Sequence, residues 1–173
     1  MEALALFAQI GVPLQADEVR ESNEMRRIHE ITAIRLACER AKLENFDRMR
    51  AVLARTEKRM EAGEPIDIED RDFHMEIINA TQNNVFYRIV RIFYLMTAQR
   101  RRIYFQERNR CLESHAEHIR IFDAIARRDA VEAMNLMDAH LKGAENYLQG
   151  LINRGVGQEP IQPEAAWMRH IVR

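Results

Sequence analysis

Two residues capable of holding a metal ion stand one helical turn apart near the middle of the chain. Asp70 and His74 are four positions apart, which places a carboxylate and an imidazole on one face of a helix. His118 and His140 follow in two later apolar stretches, where each is expected to point inward. A buried imidazole needs a partner for each ring nitrogen, and a shared cation would supply one. These four residues form a candidate metal site, with hydrogen-bonded core histidines as the open alternative.

The ligand types narrow the choice of ion. One carboxylate oxygen and three imidazole nitrogens suit a divalent ion, with zinc first and nickel, manganese or iron as alternatives. No thiolate forces a closed tetrahedral site, so an open coordination position could accept a carboxylate from a small molecule. His115 shares the general face of His118 and could replace it, whereas His29 and His170 are expected not to be ligands.

The elements that must position these residues are helices. The chain has 173 residues but only 6 glycines and 4 prolines, and apolar residues recur three and four positions apart from residue 18 to residue 153. The pattern predicts an all-α protein, an antiparallel bundle of about six helices, and places Met25 and Ile28 on the buried side of the first. The predicted helices cover residues 16–42, 44–62, 67–81, 85–105, 111–127 and 130–153.

Local signals mark several helix ends. Gly63 and Pro65 are expected to stop the second helix. Asp67 is expected to cap the third helix, because a short carboxylate can accept the free amide hydrogens of the first turn. Asp129 and Glu132 have the spacing of a capping box at the start of the last helix.

Composition excludes several classes of protein. A hydrophobic share of 47% and a charged share of 31% are typical of a soluble globular domain. The formal net charge of -1 is unlike that of a nucleic-acid-binding surface. The basic run at residues 100–102 is expected to form a solvated helix face.

Cysteine content and the chain start bear on the cell compartment. Cys38 and Cys111 are too few and too far apart for a disulfide framework, so they are expected to be core thiols in a reducing cytosol. Residues 1–8 are mostly apolar, but they lack a basic leader and are too short to span a bilayer. We therefore expect a cytoplasmic protein that does not contact a membrane.

Four motifs occur in order along residues 17–153, and together they resemble one known family. The chain is similar to the C-terminal domain of FadR-type regulators in the GntR family of transcription regulators, departing from the last motif only at Leu136, where alanine is usual. The motifs are Glu24–Glu30 with Ala33–Ala37; Asp70, Phe73 and His74; Glu117, His118, Ile121, Ala124, Ile125 and Asp129; and Leu136, Met137, His140 and Leu141.

The resemblance implies a set of functional residues. In this family the domain senses a small organic acid beside a metal ion. Arg26, on the first helix, would face the pocket and hold the carboxylate of the effector, and Arg101 and Tyr104 are further pocket candidates. The implied metal ligands are Asp70, His74, His118 and His140.

The resemblance also implies a domain organisation. Residues 1–16 look like the end of a wing and a linker, residues 17–153 would be the sensing and dimerisation domain, and residues 154–173 a loose tail that packs only through Trp167. DNA would be contacted only by a winged helix-turn-helix that this chain lacks. The expected state is a homodimer whose protomer arrangement responds to the effector.

Two other functions compete with this prediction. Three histidines and an aspartate could activate a water molecule in a metal-dependent enzyme of the hydrolase type. Such an enzyme needs a general base, and Asp72 and Glu76 are the neighbouring carboxylates, although Asp72 lies about 200° around a helix from Asp70. A purely structural dimerisation bundle would instead satisfy its histidines by hydrogen bonds and bind no metal. We expect a binding domain and no enzymatic activity.

Overall fold

The computed structural model describes residues 15–155, which form seven α-helices and no β-strand. The predicted all-α bundle is therefore confirmed. No helix in this range is both long enough and apolar enough to cross a bilayer. The helices are α1 Ala16–Arg40, α2 Leu43–Glu61, α3 Asp67–Ala80, α4 Asn84–Met96, α5 Ala98–Tyr104, α6 Arg108–Ala126 and α7 Ala130–Asn153.

The stretch predicted as one helix over residues 85–105 is two helices, α4 and α5, which explains why seven form rather than about six. The break falls at Thr97, whose φ of -96° and ψ of 7° leave the helical region. The Thr97 hydroxyl donates a hydrogen bond to the Phe93 carbonyl at 3.1 Å, and a threonine that bonds back in this way bends helices. Helix α5 then begins at Ala98.

Local signals predicted some helix ends correctly and one incorrectly. Gly63 follows α2 with a φ of +73°, a conformation that favours glycine. Asp67 does not cap α3: it is the first helical residue, and no side chain caps this helix. Asp129 does cap α7, accepting the Glu132 amide hydrogen at 3.0 Å, although the returning bond of a full capping box is absent from α7.

The exposure of Met25 and Ile28 corrects the predicted inner face of α1. Their exposed fractions are 51% and 60%. The inward side of the same turns instead carries the polar residues Asn23, Arg26 and Glu30, of which Asn23 and Glu30 are buried. Helix α1 thus presents a polar surface to the bundle at this level, because that surface faces the site described below.

Two apolar clusters enclose this polar region. The larger contains Phe73 and the central residues of α1, α2, α3, α6 and α7. The smaller, which includes Tyr104, Phe105 and Leu148, lies where α5 meets α7. Cys38 and Cys111 are free thiols buried in the larger and the smaller cluster respectively, as predicted. Polar groups between such clusters are shielded from water, so their mutual interactions are strengthened.

Candidate metal and effector site

Three helices bring the four predicted metal ligands together. Asp70 and His74 project from α3, His118 from α6 and His140 from α7, and all four side chains are buried. Each offers one ligand atom, and these atoms all lie within 4.8 Å of one another. Residues separated by up to 70 positions in sequence therefore converge on one point.

Three of the distances between these atoms are close to those around a metal ion. Oδ1 of Asp70 lies 3.7 Å from Nε2 of His74 and 3.5 Å from Nε2 of His118. The Nε2 atoms of His118 and His140 are 3.4 Å apart. A tetrahedral ion with ligands at about 2.1 Å would separate neighbouring ligand atoms by about 3.4 Å. The residues present therefore fit a divalent cation.

Two carboxylates outside this group orient the imidazoles. Oε2 of Glu30 accepts a hydrogen bond from Nδ1 of His74 at 3.0 Å, and Oε2 of Glu117 accepts one from Nδ1 of His140 at 2.7 Å. Placing the ring proton on Nδ1 leaves Nε2 unprotonated and directed at the other ligands. This carboxylate–histidine arrangement is typical of metal sites. Neither glutamate was predicted to have a role from the sequence, although Glu117 directly precedes His118.

Arg26 also lies at the site, but it contacts a predicted metal ligand. Its Nη2 is 3.0 Å from Nε2 of His74, and its Nε is 3.2 Å from Oε1 of Glu30. The Tyr94 hydroxyl donates a hydrogen bond to the same Glu30 oxygen. One lone pair on Nε2 of His74 cannot serve both a guanidinium and a metal ion, so Arg26 and an ion compete for it.

Burial and neighbouring charges set the protonation states. Burial alone would raise the pKa of Asp70, but His74 and His118 hold it well below its usual range. Burial lowers the pKa of His118 and that of His140, and their imidazole neighbours add to this effect. Burial opposes protonation of His74 too, yet the Glu30 carboxylate outweighs it and raises the pKa of His74. At neutral pH His118 and His140 are therefore uncharged, the form that binds metals.

A cavity of about 40 Å³ adjoins the four residues. Asp70 and His140 form part of its wall, and the three effector-binding candidates, Arg26, Arg101 and Tyr104, also line it. The structure thus brings all seven predicted site residues to one place. Sequence reasoning missed Asn23, which is buried and lines the same cavity.

The basic run at residues 100–102 does not form the solvated face that was predicted. Arg100 and Arg101 are buried, and only the Arg102 side chain is solvent-exposed, at 74%. The reason is the break at Thr97, after which α5 lies over the cavity. Charge pattern alone could not show this.

The remaining histidines lie outside the group. His115 is buried on α6, where Nε2 lies 3.4 Å from Oε1 of Glu57, so it does not replace His118. His29 packs edge-on against Phe93, with ring centroids 4.8 Å apart. His170 and the tail residue Trp167 lie outside the described residues.

Known proteins resemble this chain in sequence and in fold. The FCD domain family model matches residues 21–143. The HTH-type transcriptional regulator LutR of Bacillus subtilis is 26% identical over 159 residues, covering 86% of this chain and 73% of that protein. The Nta operon transcriptional regulator of Aminobacter aminovorans is 29% identical over 138 residues, covering 79% of this chain and 62% of that protein.

A solved structure shows the same fold. Escherichia coli McbR/YncC superposes with a TM-score of 0.70, covering 81% of this chain and 68% of that one, at 14% sequence identity. The two sequence relatives are named as transcriptional regulators, which agrees with the prediction of a regulatory domain rather than an enzyme. Because the family model matches more than half of its residues, this chain belongs to the FCD domain family of GntR-type transcription regulators.

Proposed function

We propose that this domain binds a divalent metal ion and a small organic acid, and that the occupied pocket controls DNA binding by a transcription regulator. The observation that carries the proposal is the convergence of four buried ligand atoms within 4.8 Å. The Glu30 and Glu117 carboxylates behind two of the imidazoles support it. Zinc is the proposed ion, with nickel, manganese or iron as alternatives, because three imidazoles and one carboxylate suit each of them.

The proposed effector is a carboxylate because of what surrounds the cavity. An ion held by Asp70 as its only anionic ligand keeps a net positive charge and can accept a further oxygen ligand. Arg26 and Arg101 present guanidinium groups to the same cavity, and guanidinium pairs with carboxylate through charge-assisted hydrogen bonds. When an ion takes Nε2 of His74, Arg26 loses that partner and becomes available to the acid. Tyr104 closes the wall beside Arg101.

The proposed regulator is a homodimer. Among the described residues, α1 and α4 are the helices that expose more than one large apolar side chain, including Met25 and Ile28 on α1 and Ile89 and Leu95 on α4. His29 of α1 contacts Phe93 of α4, with ring centroids 4.8 Å apart, so the two helices meet at this point. A second copy of the chain would cover this apolar face, which we call the α1–α4 face.

Acid binding in the pocket would affect DNA binding by changing the arrangement of the two protomers. A ligand shifts an equilibrium only by its different affinity for two states, so acid binding must favour one arrangement of the protomers. DNA contact belongs to a winged helix-turn-helix outside this chain, since the net charge of -1 does not suit DNA. We place the regulator in the cytoplasm, in keeping with its two unpaired cysteines.

The neighbouring carboxylates argue against the rival enzyme function. The neighbouring carboxylates that an enzyme would need as a base pair with arginines elsewhere: Asp72 lies 2.6 Å from Arg55, and Glu76 lies 3.0 Å from Arg48. A purely structural bundle would instead join His118 and His140 by a hydrogen bond between their Nε2 atoms, which are 3.4 Å apart, and would contain no bound metal.

Elemental analysis tests the proposal directly. We expect about one divalent ion per chain in the wild type and none after the double substitution His118→Ala and His140→Ala. The control is His115→Ala, which removes a buried histidine of α6 that lies outside the group. Carboxylate binding, measured by calorimetry, should be lost with the ion and kept in the control. Unchanged carboxylate binding in the double variant would exclude the metal-anchored site.

A further inference from the structure

Arg101 is a buried cation whose guanidinium has only neutral partners. Its exposed fraction is 8%. Nη1 donates to the Thr97 hydroxyl at 3.0 Å, and Nη2 donates to the Tyr94 carbonyl at 2.7 Å. Nε has no hydrogen-bond partner among residues 15–155. A buried charge without a counter-ion is costly, so this group has capacity for an anion.

The other arginines of the cavity are neutralised within the chain. Arg26 pairs with Glu30 at 3.2 Å, and Arg100 lies 4.0 Å from the Glu18 carboxylate. No carboxylate of the described part of the chain lies within 4.0 Å of Arg101. Asp70 supplies the largest favourable charge interaction with Arg101, but its carboxylate is also a predicted ligand of the ion.

With an ion bound, the cavity would contain two uncompensated positive charges, one at the ion and one at Arg101. An ion of charge +2 that is held by Asp70 keeps one unit of charge, and Arg101 adds another. Arg26 and Arg100 are balanced by the glutamates just described. The Glu117 carboxylate behind His140 is a third exposed and does not line the cavity, so it does not serve Arg101. Among the groups that line the cavity, an effector with two negative charges would match both the ion and Arg101, whereas a monoacid would leave one of them without a counter-charge.

A second buried donor lines the same cavity. The Nδ2 group of Asn23 has no hydrogen-bond partner in the part of the chain that the structure describes, and the residue is 91% buried. Asn23 and Arg101 come from different helices, α1 and α5, yet both line the cavity with Asp70 and His140. An unpaired buried amide beside an unpaired guanidinium N–H is suited to the oxygens of an acidic group.

We propose that the effector is a short-chain diacid, with one carboxylate on the metal ion and the second acidic group held by Arg101 and Asn23. This inference rests on the proposed function. The cavity of about 40 Å³ limits the length of the chain, because one water molecule needs about 10–15 Å³ on the same measure.

The test compares acids of equal carbon number on the zinc-loaded protein by isothermal titration calorimetry. Malonate is compared with propionate, and succinate with butyrate. In the wild type at least one diacid should bind more than about tenfold tighter than its matched monoacid, the effect of one charge-assisted contact. Diacid and monoacid affinities within about twofold of each other for both pairs would overturn the inference.

Substitutions identify the residues responsible. Arg101→Gln should lower diacid affinity by about tenfold or more and leave monoacid affinity within about twofold, while Asn23→Ala should act in the same direction more weakly. Arg102→Gln is the matched control, because Arg102 is the next residue of the same helix and its side chain is exposed to solvent. Equal weakening of both acids by Arg101→Gln would overturn the inference, since Arg101 would then serve the metal-bound carboxylate.

The two proposals fail in different ways. If neither monoacids nor diacids bind the zinc-loaded protein, the proposed function fails and this inference fails with it. If monoacids bind in a metal-dependent manner and diacids bind no better, only the inference fails. The wild-type comparison needs no variant, so it decides the matter even if Arg101→Gln does not fold.

Discussion

The Glu117 carboxylate allows a clean test of how the proposed metal site is built. It accepts the Nδ1 hydrogen of His140 at 2.7 Å, and its side chain is 33% exposed. The hydrogen bond to His140 lowers the pKa of Glu117, so the group is ionised at neutral pH. Glu117→Ala therefore removes the partner that orients and polarises one imidazole, while it changes little of the buried core.

The expected loss follows from the role of such partners in metal sites. Removing an outer carboxylate weakens metal binding by about 10–100-fold, which corresponds to about 1.4–2.7 kcal/mol. Glu117→Gln should lie at the lower end, because an amide oxygen still accepts the hydrogen bond but carries no charge. Competition with a fluorescent zinc chelator at pH 7.5 measures the affinity.

The control is a glutamate one turn earlier on α6. Glu113 is 53% exposed and pairs with Arg110 rather than with a histidine, so Glu113→Ala should leave zinc affinity unchanged. A zinc affinity of Glu117→Ala within about twofold of the wild type would refute the reasoning, because His140 would then not be held for a metal ion.

Three further predictions follow from the same contacts. Arg26→Gln removes the guanidinium that competes with an ion for Nε2 of His74, so zinc affinity in the absence of acid should rise while acid affinity falls. A fall in zinc affinity, measured by chelator competition, would contradict this. In metal-free protein, burial lowers the pKa of His118 below 6.5, so the unfolded chain takes up a proton that the folded chain refuses. The melting temperature of the wild type should therefore drop as pH falls below about 6.5, and that of His118→Gln should drop less steeply. An equal dependence of melting temperature on pH in the two proteins would contradict this. The double variant Ile28→Glu with Ile89→Glu should be monomeric by light scattering, whereas the control Leu112→Glu should remain dimeric. A dimeric double variant would exclude the α1–α4 face as the dimer interface.

The convergence of the four candidate ligands could be predicted from the sequence because each of them has a local signal. The four-residue spacing of Asp70 and His74 fixes their common face on any helix. His118 and His140 lie among apolar residues at helical spacing, which indicated that both point inward. The helices themselves also followed from such spacing, since it is repeated through most of the chain.

The groups that tune the site could not be predicted in this way. Glu30 reaches His74 across 44 positions in sequence, and that contact depends on how α1 crosses α3. No sequence pattern distinguishes the buried Glu30 from a solvent-exposed glutamate. Only tertiary structure shows that His74 and Arg26 enclose it and hold its pKa well below the usual range.

The incorrect expectations have a common cause. Met25 and Ile28 have helical spacing, but spacing cannot distinguish the side that faces the core from a second apolar side on the surface. The basic run at residues 100–102 was expected in solvent from its charge pattern, whereas the family resemblance made Arg101 a pocket candidate, and the structure buries Arg100 and Arg101 after the break at Thr97. In each case the tertiary arrangement decided between environments that the sequence pattern allows equally.

Calorimetric titration of succinate into one protein sample, before and after removal of its metal by a chelator, tests the central claim most directly. The account predicts that the acid binds the metal-loaded domain, that binding disappears after chelation, and that added zinc restores it. Equal affinity in the loaded and the stripped protein would contradict a sensing site anchored on Asp70, His74, His118 and His140.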